Sequence, residues 1–286
     1  MKKLMTIGMA AVMATGFASA QNDVVMVGQA PANDPAETKV TAEVALVSSY
    51  VWRGQVLNND FVLQPQLTAS QYGVSLNIWA NYDLGKNHAG INNDFSEMDF
   101  SLAYTLPLDL NDVSFDVGII SYNFPANGTD VDTGGDEISV NAPSTTELFA
   151  AAHWLTFRDY VIPSVTMFGD IDQADGVYIL FDVVAPYQVS DYLWVEGGVS
   201  AGWGNTSYND YYWGTTVPAG NGGNVDKGFN DFNFYANASY ELLDNLTASV
   251  NATFTLLNGG AIRDAAKLRY EDENKFWAGV NLAYDF

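Results

Sequence analysis

Ten carboxylates recur on one side of what the sequence writes as extended segments: Glu43, Asp83, Glu97, Asp99, Asp116, Glu147, Asp170, Asp182, Glu196 and Asp231. Each sits out of phase with an apolar series, so acids and apolar residues point to opposite faces of a strand. Paired carboxylates can do acid–base chemistry, but hydrolysis also needs a base held beside a nucleophile or water. The chain has 2 histidines, His88 and His153, and neither has a Ser or Asp at a spacing that suggests a dyad. It has no cysteine, which excludes disulfides, thiolate metal sites and a thiolate nucleophile. The run Asp170-x-Asp172-x-x-Asp175-Gly176 departs from EF-hand spacing and lacks the closing Glu, so a solvated turn is expected there. No enzyme activity, metal or cofactor is expected.

A crowd of like charges can instead set up a field. Ten acids facing one base, Arg53, favour cations over anions in any water they enclose. Arg53 reads as a counter-ion to such a cluster. The neutral residues Gln64, Gln66, Asn77, Asn81, Asn233, Asn251 and Thr253 fall on the same side. So do Trp79, Tyr122, Phe149, His153, Phe168, Tyr178, Trp194 and Trp277. Those large side chains could fill the enclosed space or line a slot for a flat or sugar-like solute, and register alone leaves both open.

Positioning these residues takes strands, and the chain supplies twelve candidates. They cover 39–53, 61–69, 72–84, 97–106, 113–123, 146–157, 163–171, 177–186, 192–203, 230–241, 246–257 and 276–286. Most are close to the length of a tilted membrane strand. In 72–84 the apolar series is Tyr72, Val74, Leu76, Ile78, Ala80, Tyr82, and in 246–257 it is Leu246, Ala248, Val250, Ala252, Phe254, Leu256. In 39–53 it runs Val40, Ala42, Val44, Leu46, then Tyr50 and Trp52. The match in 163–171 is weaker.

The connections alternate. Short ones fall at 70–71, 107–112, 158–161, 187–191 and 242–245, and longer ones at 85–96, 124–145, 204–229 and 258–274, with modest ones at 54–60 and 172–176. Short turns on one rim and long loops on the other is the pattern of transmembrane barrels. In lipid every backbone N–H and C=O must be paired within the protein, so a sheet can span only when closed. The expected fold is therefore all-β: an antiparallel up-and-down transmembrane barrel of about twelve strands over 39–286. Tyr50, Trp52, Tyr82, Tyr104, Trp154, Trp203, Tyr240 and Tyr284 lie near strand ends and suit interfacial girdles.

The chain ends agree with export. Lys2 and Lys3, an apolar run and Ala18-Ser19-Ala20 read as a secretory signal over 1–20, followed by a short polar periplasmic segment over 21–38. Without Lys2 and Lys3 the 11 basic residues fall to 9 against 34 acids, a net −25, which repels nucleic acid. The last strand alternates to an aromatic terminus, Phe286. That ending resembles the closing strand of bacterial outer-membrane barrels, where it helps the assembly machinery recognise its client. The expected location is the bacterial outer membrane.

Ser49-Tyr50-Val51-Trp52-Arg53-Gly54, then Gln64-Pro65, Gly73 and Trp79, resembles the opening hairpins of the TorF-like porins, proteobacterial outer-membrane proteins. The resemblance covers roughly 40–83 and implies a small porin-like barrel; it supplies no substrate and no catalytic residue. The expected function is a porin-like channel for small solutes, cation-preferring, working by passive diffusion through an acidic lumen. The alternative is a structural or adhesion protein that acts through its extracellular loops and has a closed lumen. For that, the cluster Tyr208–Trp213 would grip carbohydrate or another cell. The expected partners are outer-membrane lipid, the barrel assembly machinery and small solutes or cations.

Overall fold

In the computed structural model, the described residues are 38–87, 90–108, 110, 112–126, 128–131, 137–140, 143–214, 225–270 and 273–286. The expected signal over 1–20, nearly all of 21–38 and His88 lie outside them. The strands in chain order are β1 (Lys39–Val47), β2 (Tyr50–Trp52), β3 (Gln55–Asn58), β4 (Val62–Gln71), β5 (Val74–Asp83), β6 (Phe95–Thr105), β7 (Val113–Asn123), β8 (Gly128–Val131) and β9 (Glu137–Val140). They continue as β10 (Thr145–Trp154), β11 (Ile162–Asp170), β12 (Val177–Gln188), β13 (Leu193–Gly204), β14 (Gly228–Leu243), β15 (Leu246–Leu257) and β16 (Asn274–Asp285). Two helices, α1 (Thr206–Trp213) and α2 (Gly260–Tyr270), fall between β13 and β14 and between β15 and β16.

Twelve of these strands close into an antiparallel barrel, in which β1 pairs with both β4 and β16. Leu282 faces Val44 across the closing seam, and Pro65 faces it on the other side. Closure leaves no unpaired edge, as a hydrocarbon solvent requires. The remaining strands form two small hairpins, β2–β3 and β8–β9.

The wall follows the expected alternation. Val44, Leu46, Leu76, Ile78, Phe100, Leu102, Met167, Val199, Phe234, Val250 and Val280 all face outward and are exposed. Their intervening neighbours are buried in the interior, among them Gln64, Asn81, Asn233 and Asn281. A surface that is apolar all round fits lipid rather than water. Among the described residues, no helix is long and apolar enough to cross a membrane, so the strands are what spans. At the short-turn rim Tyr104, Trp154, Tyr240 and Tyr284 are exposed, and Tyr72, Tyr160, Tyr187 and Tyr192 extend the same aromatic ring.

The first strand departs from expectation. It ends at Val47 instead of running to Arg53, and Tyr50 and Trp52 are buried inside the barrel rather than set in a girdle. Ser48 makes the last contact with the wall, its N–H donating to the carbonyl of Ala278 at 2.9 Å. The chain then folds inward as the β2–β3 hairpin. Trp52 pairs with Gln55 across a two-residue turn, Arg53-Gly54, with φ of 45° and 84°. Two consecutive positive φ values are the type I′ turn, whose twist matches a tight hairpin. Gly54 also needs its lack of a side chain: a Cβ there would lie 2.5 Å from Leu257 Cδ2.

Candidate functional site

The loop half of the lumen is filled. The β2–β3 hairpin enters it, and α1 and α2 close over the hairpin. Asn205 caps α1 by accepting the Tyr208 N–H at 2.9 Å. Tyr208 and Trp213 are then buried, so the aromatic cluster that an adhesive loop would present turns into the barrel mouth. In α2, Ile262, Ala265, Ala266 and Tyr270 form one buried face, at the spacing of an amphipathic helix. Tyr270 donates to Gln55 Oε1 at 2.9 Å, tying the cap to the hairpin. Burial pushes the Tyr212 hydroxyl above its ordinary range, so it stays neutral. On the outer face of α2, Arg263 and Lys267 both reach Glu273, at 2.7 and 3.3 Å. The hydrogen bond from Arg263 holds that carboxyl below its ordinary range.

Arg53 sits at the hairpin tip, not on a barrel strand as expected. Its guanidinium donates both ways to Glu147, at 2.8 Å to Oε1 and 2.7 Å to Oε2. Both side chains are 1% exposed. The rings of Trp52, Phe168 and Tyr178 lie 4.6, 4.4 and 4.5 Å from its centre, with Tyr208 at 5.7 Å. Tyr122 donates to Glu147 Oε2 at 2.9 Å. Breaking a buried pair by removing one partner typically costs about 3–5 kcal/mol, because the other charge is left uncompensated.

The other acids of the loop half are also held. Tyr50 donates to Glu97 at 2.5 Å and Asn58 to Asp83 at 2.6 Å, both from the hairpin. Asn81 and Asn87 add donors to Asp83. Tyr178 and Asn233 donate to the two oxygens of Asp231, each at 2.9 Å. Asp170 accepts the N–H groups of Asp172, Gln173 and Ala174 on one oxygen and the Thr145 hydroxyl on the other. Its carboxylate organises the expected turn.

Nearer the short-turn rim the lumen is less crowded. Asp182 and Glu196 are only half-buried there, whereas Asp99, also half-buried, faces Tyr122 on β7, nearer the loop half. Tyr235 donates to Asp182 at 2.8 Å and Asn237 to Glu196 at 3.2 Å. Asn281 donates to Glu43 at 3.2 Å, and Thr105 to Asp116 at 2.5 Å. His153 Nε2 lies 3.1 Å from the other oxygen of Asp116. Sequence spacing hid that pair, because it bridges β10 and β7. Lys39 and Lys275 share the lumen register at opposite ends of their barrel strands, and Lys275 meets Asn59 at the loop rim.

An apolar outer belt, a closed sheet and a polar interior define a transmembrane β-barrel of the bacterial outer membrane. A solved outer-membrane channel from Pseudomonas putida F1 has the same architecture, with a TM-score of 0.54 at 10% identity over 89% of this chain and 98% of that one. At that identity the likeness speaks for the fold. Weaker likenesses are to the KdgM porin in complex with disordered oligogalacturonate (TM-score 0.49, 8% identity, 87% of this chain and 99% of that one) and to the NanC porin (TM-score 0.47, 10% identity, 86% and 98%). The chain belongs to the family described as bacterial protein of unknown function (Gcw_chp), whose model matches residues 30–256. No curated protein matches it.

Proposed function

We propose that this protein is a porin-like channel that passes small solutes and prefers cations. The observation that carries the reading is the inventory of the lumen face. Ten acids point inward, while the guanidinium of Arg53 is spent on Glu147 and the two lysines on that register stand at strand ends. Asp182 and Glu196 lie where the lumen is least crowded, and they are the residues assigned to selectivity. A twelve-strand wall encloses more than the eight-strand barrels that side chains fill and less than the open 16–18-strand porins. With the hairpin inside it, the conductance should be small.

The remaining expectations join this reading. The chain is exported by cleavage after Ala20, its last strand is read by the barrel assembly machinery through Phe286, and it works without an enzymatic step. The resemblance of 40–83 to TorF-like porins supports the same assignment. The test is single-channel recording on refolded protein in a salt gradient. A reversal potential of cation sign is expected. An anion-selective pore would overturn the assignment of the lumen acids.

A further inference from the structure

Arg53 occupies a receptor that is built without it. Glu147 stands on β10, Phe168 on β11, Tyr178 on β12, Tyr122 on β7 and Tyr208 on α1; among the described residues of the cage only Trp52 travels with the hairpin. The walls are held by bonds of their own. Tyr122 donates to Glu147 at 2.9 Å, and Tyr178 to Asp231 at 2.9 Å. Register brings Phe168 beside Tyr178 on the neighbouring strand. The chemistry is specific to a flat, delocalised cation. A carboxylate takes two parallel N–H bonds, and ring faces lie within about 6 Å of the charge. A compact ammonium matches neither feature as well.

The arginine itself is placed against backbone preference. The first position of a type I′ turn favours Asn, Asp or Gly, yet here a φ of 45° carries a long side chain. A plug that served only to fill space could use apolar residues, which often replace buried ion pairs without loss of stability.

We propose that this cage is a recognition site for solutes bearing a guanidinium group, and that Arg53 fills it as a tethered stand-in. A solute takes the site over when the hairpin tip withdraws. The inference rests on the channel reading for its physiological meaning, but the site itself can be tested apart from it.

The variant is Arg53→Gly, which keeps the positive φ and empties the cage. Refolded R53G is titrated with methylguanidinium and, separately, with methylammonium, and tryptophan fluorescence is followed. Saturable binding of methylguanidinium at a concentration at least tenfold below that of methylammonium is expected, weakened at least tenfold in the wild type, where Arg53 competes for the cage, and lost in R53G/E147Q. Equal response to both cations, or no response, overturns the site. If R53G refolds poorly, refolding yield becomes the readout: methylguanidinium raises it and methylammonium does not, and a yield indifferent to both overturns the site as well. In bilayers, arginine methyl ester should block R53G current at least tenfold more strongly than lysine methyl ester. Binding without any current sinks the channel reading and leaves the site standing. Current without discrimination does the reverse.

Discussion

Placing an arginine at Val250 tests the wall directly. Val250 is 55% exposed on the outer face, opposite Ala238 on β14 and Val280 on β16. It lies four residues past Leu246, the first residue of β15. At a rise of about 3.3 Å per residue and a tilt of about 40°, that places it roughly 10 Å up the strand, near the middle of an apolar belt about 25 Å tall. An arginine at mid-bilayer costs about 2–4 kcal/mol, falling to about 0–1 near the interface. With tenfold per about 1.4 kcal/mol, Val250→Arg should lower the folded-to-unfolded ratio roughly 30- to 700-fold.

The control is the next residue. Asn251 has the same depth but faces the lumen, half-buried, opposite Asn237 and Gly279. An arginine there enters an acidic, polar space, and its cost should stay within about 1 kcal/mol, as for ordinary surface changes. Tyr284→Arg, at the rim, should cost about 0–1 kcal/mol. Urea titration in lipid vesicles, followed by tryptophan fluorescence, gives the three values. An equal penalty at Val250 and Asn251, or a larger one at Asn251, would refute the register, since a slip of one residue exchanges the two faces.

Three further outcomes are expected. Asp182→Asn with Glu196→Gln should move the reversal potential toward zero, and the wild-type preference should itself fade between 0.1 and 1 M salt, as the Debye length shrinks from about 10 to about 3 Å; a potential unmoved by the double change removes these acids from selectivity. Gly54→Ala brings a Cβ to 2.5 Å from Leu257 Cδ2 at a φ of 84°, so the hairpin should be displaced, raising conductance while heat-modifiable gel mobility still reports a folded barrel. An unchanged conductance would mean that the hairpin does not limit the path. Because Arg263 holds Glu273 below its ordinary pKa, that ion pair contributes above the ordinary glutamate range and is lost as pH falls through the folded value. Amide protection factors at the C-terminal end of α2, corrected for the intrinsic pH dependence of exchange, should fall only on such acidification, and a fall between pH 6 and 8 would point to another group.

The wall was legible because lipid imposes one rule on every strand. Residues 113–123 and 246–257 are found as expected, the first strand stops six residues short of its expected end, and the other strand limits shift by at most three residues. An alternation of period two has only two phases, and the carboxylates choose between them, since a charge facing hydrocarbon is costly. The lumen obeys no such rule. Tyr50 and Trp52 continue an alternation that fits an outer girdle as well as an inner hairpin, and the distinguishing signal is Arg53-Gly54, a two-residue turn that a straight strand would not contain. In α2 the signal was the spacing of Ile262, Ala265 and Ala266, which reads as a helix face once the segment is not assumed to be loop.

Arg53 and Glu147, 94 residues apart, carry no mark of each other in a single sequence. Neither do Asp116 and His153, on neighbouring strands joined through the β8–β9 excursion. A barrel converts such distant positions into neighbours through closure, so the contents of the lumen are fixed by pairings that the wall creates. The hairpin follows the same order. An isolated two-stranded ribbon is marginal in water, and among the described residues β2–β3 owes its burial to the wall and helices around it. Its tip ends on a cage assembled by other strands. The hairpin therefore depends on the wall for its burial, whereas the wall closes through strand pairings that do not include it.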